Sequence, residues 1–395
     1  MTSAELIRRW QGPALFSYGF RPFFLFGALW AGLAMIIWIV ALTGTAAPPS
    51  RFDPISWHAH AFLFGYLGAV IAGFLLTAVP NWTGRLPVVG WPLTALFLLW
   101  LAGRLAVLAS ARMPFALAVI IDLAFPVLLS LVILREIVAG KNWRNLFVLA
   151  LLVVFTIANL VFHLEAHWGD YPAEGLGLRL AVGAAIMMIG LIGGRIIPSF
   201  TRNWLVQHKR ADLPVPPMRK LDKLVLLTSI GALSAWVVFP DARLTGVALI
   251  IMGVAQALRL SRWKGHLTTS EPLVTILHVG YLFVPLGALA MGLAIIRPDI
   301  LPVPPAMHLW LAGAIGTMTL AVTTRATLGH TGHGLHADWA TTAIYGAIIG
   351  SALVRFIAGF WPGHLLFDAA GLLWCAAFLG FAVAYGPKLL RARKA

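Results

Sequence analysis

Residues 114–136 read PFALAVIIDLAFPVLLSLVILRE. A single charged side chain, Asp122, interrupts a run that stays apolar until Arg135 and Glu136. Coiled as a helix at about 1.5 Å per residue, the run crosses the roughly 30 Å hydrocarbon core of a bilayer. It shows none of the alternating polarity of a membrane barrel strand. Similar runs recur and predict twelve spans, at 23–44, 58–79, 91–110, 114–136, 145–165, 178–198, 223–240, 243–260, 272–295, 306–326, 340–360 and 366–386. Of the 395 residues, 60% are hydrophobic and 11% charged. A soluble chain carries about 25% charged residues. The expected fold is therefore all-α: a polytopic membrane helical bundle of about twelve transmembrane helices.

Charge sets the expected orientation. With the N-terminus in the cytoplasm, all but about seven of the 29 Lys and Arg residues fall on the cytoplasmic side. The opposite face has an acidic loop around Glu165, Asp170 and Glu174. Both termini are expected in the cytoplasm. The net charge of +15 then reports topology. Basic residues scattered over short loops do not make a nucleic-acid surface. The first span is too long for a signal-peptide core and is expected to remain as an anchor. The chain is expected to form one integral membrane domain over 1–395. Six spans lie in 1–198, a basic, proline-containing cytoplasmic linker in 199–222, and six spans in 223–395. The halves show no clear sequence echo, which counts against a transporter built from two repeats.

The chain has twelve His and one Cys, Cys375. One cysteine excludes an intramolecular disulfide, a cysteine-held iron–sulfur cluster and a C-x-x-C-H haem attachment. Imidazole near hydrocarbon is costly unless paired or metal-bound. The histidines therefore point to non-covalent haem b or copper. Five lie at one end of the expected spans: His58, His60, His163, His167 and His308. His278, His330 and His333 lie toward the other. His58 and His60 are two apart, so on a helix they point about 200° from each other and serve different partners. His163 and His167 are four apart and share a face. The intramembrane carboxylates Asp122 and Asp368, with Glu165, are candidate proton carriers. Arg195 and Arg325 are candidate partners for haem propionates.

Several segments carry a resemblance. They are Phe20-Arg21-Pro22-Phe23-Phe24, Trp57-His58-Ala59-His60, the stretch from Gly73 to Gly84, Gly194-Arg195-Ile196-Ile197-Pro198-Ser199-Phe200-Thr201, and Arg325-Ala326-Thr327-Leu328-Gly329-His330-Thr331-Gly332. Together and in this order they resemble the NnrS family over nearly the whole chain. The resemblance implies a multi-pass protein of the bacterial inner membrane that carries haem and copper and acts in nitric oxide metabolism and nitrosative-stress resistance. It carries ligand duty onto His58, His60, His278, His308 and His330. Ala61 stands where the family often has an acidic residue, and His333 where it often has Arg.

Three function classes follow. One is an oxidoreductase that consumes nitric oxide, with quinol as electron donor. Another is a nitric oxide sink or sensor without turnover. The third is a secondary transporter of metal, haem or a nitrosyl complex.

Overall fold

A computed structural model describes residues 10–361 and 363–392. Among them, twelve helices are long and apolar enough to cross a membrane: α1 (Phe20–Leu42), α2 (Pro54–Thr83), α3 (Trp91–Leu108), α4 (Phe115–Ala139), α5 (Trp143–Trp168), α6 (Leu176–Gln207), α7 (Lys220–Val238), α8 (Arg243–Ser261), α9 (Pro272–Ile296), α10 (Val303–Thr331), α11 (Trp339–Ala358) and α12 (Leu365–Leu390). The described residues contain no strand. All-helical spans keep every backbone group bonded within its own segment, as hydrocarbon requires.

Local chemistry sets the helix ends. Asp53 caps α2, its Oδ1 accepting from the amides of Ile55 and Ser56 at 2.9 and 3.0 Å, with Pro54 in the first turn. α5 stops at Gly169, whose φ of 86° suits glycine.

The predicted spans match in number and order, but α2, α6 and α10 run to 30, 32 and 29 residues, longer than expected. Their extra turns carry polar side chains such as Asn81, Thr83, Asn203, Thr327 and Thr331. Hydropathy ends a span at such residues. These three helices are also the most enclosed, 72–78% buried over their apolar windows against 33–61% for the others. In α10, Thr327 and Thr331 are buried in protein and so spared the cost of facing lipid.

The same three helices share a second property. Each is interrupted by a π-helical segment: Ala61–Leu67 in α2, Ile189–Gly193 in α6 and Leu309–Gly316 in α10. Each interruption carries or adjoins Gly-x-x-Gly, at Gly65 and Gly68 (the residue after the segment), Gly190 and Gly193, and Gly313 and Gly316. The feature recurs every fourth span, a period that a comparison of six-span halves does not reveal. Wider π turns leave carbonyls to be satisfied from outside the helix. In α2, Ala61 O accepts from Trp30 Nε1 and Gly65 O from Trp100 Nε1, both at 2.9 Å. In α6, Gly190 O accepts from Arg259 Nη1 at 2.8 Å.

The chain divides into two compact units. The first takes the chain up to Ala181 together with Ala326–Gly334 and the segment from Phe378 onward. The second takes Val182–Arg325 and Leu335–Ala377. Within the first, Arg21 Nη1 ties α1 to the end of α12 by donating to Leu389 O at 2.8 Å and Arg391 O at 2.5 Å. Within the second, a buried network centres on Arg259, whose Nε pairs with Asp222 Oδ1 at 2.9 Å and whose Nη1 donates to Tyr281 Oη at 3.0 Å.

Candidate metal centre

Four helices of the first unit converge on Asp122, which is completely buried. Its Oδ1 accepts from Arg104 Nη2 of α3. Its Oδ2 accepts from Asn159 Nδ2 of α5 at 2.8 Å. The same Oδ2 faces His60 Nε2 of α2 and His163 Nε2 of α5, each at 3.1 Å. His60 Nε2 also lies 2.9 Å from Asn159 Oδ1. Both oxygens facing the rings are acceptors, so each Nε2 carries its proton in this arrangement.

The elements explain the convergence. His60 is the last residue before the π segment of α2. Asn159 and His163 are one turn apart on α5 and so share a face. Gly103 lets α3 approach α4: a Cβ there would lie 2.8 Å from Asp122 Oδ1 and 3.2 Å from its Cα. Pro126 lies four residues after Asp122 in α4 and has no N–H for that residue's carbonyl.

The nitrogens of His60 and His163 and an oxygen of Asp122 lie within 4.8 Å of one another, all buried. Among the described residues this is the one group of three or more His, Cys, Asp or Glu side chains so placed. Ligand atoms on one metal at about 2.1 Å sit roughly 3 Å apart. The two nitrogen–oxygen distances of 3.1 Å match that spacing. With the ring protons moved from Nε2 to Nδ1, two imidazoles and a carboxylate can hold one metal ion and leave coordination positions for a small ligand.

Two spaces flank the cluster. One is a cavity of about 170 Å³ lined by Arg51, Phe52, Ser110, Phe115, His163 and His167. The other is a crevice with room for about one water-sized molecule, bounded by Arg104, Asp122 and Asn159 and by apolar walls. Pockets for large organic ligands run to roughly 300–1,000 Å³. The cluster therefore fits a bare ion and has no adjoining room for a macrocycle.

A family profile described as NnrS protein matches residues 14–393. The chain belongs to the NnrS family. No curated protein shows significant similarity to this NnrS chain. The NnrS match takes in all twelve spans and every member of the cluster.

The other residues singled out from the sequence are placed as follows. His58 points away from His60, as its spacing implies, and stacks on Trp38 with ring centroids 4.5 Å apart. His167 shares the 170 Å³ cavity with His163 but stacks on Phe115 at 4.1 Å. His278 bonds Thr201 Oγ1 through Nε2 at 2.8 Å. His308 Nδ1 donates to Pro304 O at 2.7 Å. That bond fixes the neutral ring with its lone pair on Nε2, the orientation a ligand histidine needs. His330 lies against Phe20, 5.4 Å between centroids, and His333 Nδ1 is 2.8 Å from Thr331 Oγ1. Arg325 lies over the Phe200 ring at 4.1 Å. Arg195 follows the π segment of α6, half-buried. Glu165 caps α6, its Oε1 accepting from Leu176 N at 2.6 Å. Asp368 lies in the first turn of α12, its Oδ1 buried without a partner among the described residues.

Asn159 was missed from the sequence. A usable signal was present: in the apolar α5 it lies one turn before His163.

Proposed function

We propose that His60, Asp122 and His163 hold a single copper ion, and that the protein binds and consumes nitric oxide at that ion in a bacterial inner membrane. The observation that carries the reading is the convergence of two imidazoles and one carboxylate in a buried, apolar unit of an NnrS-family membrane protein. Copper bound there supplies a coordination position for nitric oxide and one-electron redox chemistry. The chain supplies the setting. Arg104 neutralises the Asp122 charge, so two neutral imidazoles and an ion-paired carboxylate meet the metal. Asn159 fixes both the carboxylate and the His60 ring. Haem b, which the family resemblance implies, is assigned to histidines outside the cluster, among His58, His278, His308 and His330. The proposed overall reaction is 2 NO + quinol → N2O + H2O + quinone.

A second reading, a nitric oxide sink without turnover, is favoured by one observation. Asp122 accepts an ion pair and an amide bond and faces both histidines, which suits a fixed anchor more than a proton carrier. The experiment is N2O detection from purified protein supplied with nitric oxide and a quinol. Many turnovers per protein support the reductase. A nitric oxide-induced spectral shift without N2O supports the sink. If neither is seen, both readings fail.

A further inference from the structure

Gly68 is not explained by backbone geometry or by packing. It lies in an ordinary helical conformation, with φ −56°. A Cβ added there would meet no atom within 4 Å. Gly65, one turn earlier, is different: its Cβ would lie 2.6 Å from Trp30 Nε1. Glycine inside a helix is destabilising relative to alanine. At Gly68 that cost secures only empty space.

The space belongs to the crevice beside the metal centre. Its lining combines apolar residues, Phe64, Ile71, Leu129 and Phe155 with Gly68, and the polar residues Arg104, Asp122 and Asn159. Arg104 Nε and Nη1 are buried with no hydrogen-bond partner among the described residues. Arg104 is 3% exposed. Unmet buried donors of this kind are costly, so they call for an acceptor brought by something else. Pro126, another wall residue, is part-exposed on α4, which puts the crevice near the lipid-facing surface.

We propose that this crevice is the entry and holding site for an uncharged diatomic gas. The gas arrives from the bilayer past Gly68 and lies beside the metal centre with its polar end toward the Arg104 donors. The proposal rests on the functional reading above for the identity of the gas as nitric oxide. The crevice itself stands on Gly68, the apolar walls and the unmet donors. Its size suits one diatomic molecule, and its carbon walls suit a solute that partitions into lipid.

The test uses dissolved O2, a paramagnetic diatomic, on the full-length, metal-free protein in lipid nanodiscs. The methyl groups of Ile71 and Leu129 are expected to show more oxygen-induced relaxation than those of Leu226, as exposed as Ile71, and Leu389, as buried as Leu129. Gly68→Leu, whose side chain fills the open space, is expected to abolish the excess. Gly68→Ala is the fold control if the larger variant misfolds, and should reduce it. Equal relaxation at all these methyls, as for a crevice holding a fixed water, overturns the proposal. In the copper-loaded protein, Gly68→Leu is expected to slow nitric oxide association with metal content unchanged. Oxygen-induced relaxation without any nitric oxide binding leaves the crevice established and removes the functional reading.

Discussion

Arg104 and Asp122 form a buried ion pair, and removing one partner strands the other charge. Arg104→Met is expected to lower stability by about 3–5 kcal/mol. The double variant with Asp122→Asn should cost less than the sum of the singles, because neither charge is then left alone. Thermal unfolding in detergent measures both. The two glycines near the site should respond in opposite directions. Gly103→Ala places a methyl against the Asp122 backbone and carboxylate, and should cost about 1–3 kcal/mol. Gly68→Ala meets nothing and needs no special φ. It should be neutral or stabilising by up to about 1 kcal/mol. Equal melting temperatures for the two alanine variants would contradict this reading of the glycines. Residue by residue, much of the site could be read from the sequence. His60 and His163 emerged as costly imidazoles near hydrocarbon, and Asp122 as a carboxylate within a span. Their meeting could not be read, because it depends on how α2, α3, α4 and α5 pack. A uniformly apolar sequence does not specify which faces touch.

The π segments belong to the scale of the helix. The one in α2 begins just after His60, and two of its carbonyls accept from indoles. Trp100→Phe removes the donor to Gly65 O and part of a buried ring. It is expected to cost about 1–3 kcal/mol, readable as a lower melting temperature, and to loosen the helix that carries His60. A variant as stable as the parent would show that Gly65 O finds another donor. The sequence hid these segments for a physical reason. A change in helical period shows itself through a change in the spacing of polar and apolar residues, and these segments are apolar on every face. The Gly-x-x-Gly spacing is the visible trace, and it becomes informative once its recurrence in α2, α6 and α10 is seen. Likewise, hydropathy located twelve spans but trimmed these three where their end turns become polar.

Across the whole molecule, charge asymmetry predicts cytoplasmic termini. Cys375 is the only cysteine and is buried, so single-cysteine labelling has a quiet background. A cysteine replacing Lys141 or Lys209 is expected to react only with a reagent that reaches the cytoplasmic side. A cysteine replacing Asp170 should react from the outside of intact cells. The reverse pattern would invert the topology. It would also move the 170 Å³ cavity beside His163, which adjoins the loops at the far end of α3 and α5, to the cytoplasmic face.

The central claim is that His60, Asp122 and His163 share one metal ion. The most direct test is metal content per protein together with electron paramagnetic resonance of the oxidised, purified protein, for the parent and for His60→Leu with His163→Leu. The account predicts copper in the parent with hyperfine splitting from imidazole nitrogens. It predicts loss of that copper and signal in the double variant, with haem absorbance retained. Unchanged copper and an unchanged spectrum in the double variant would contradict it.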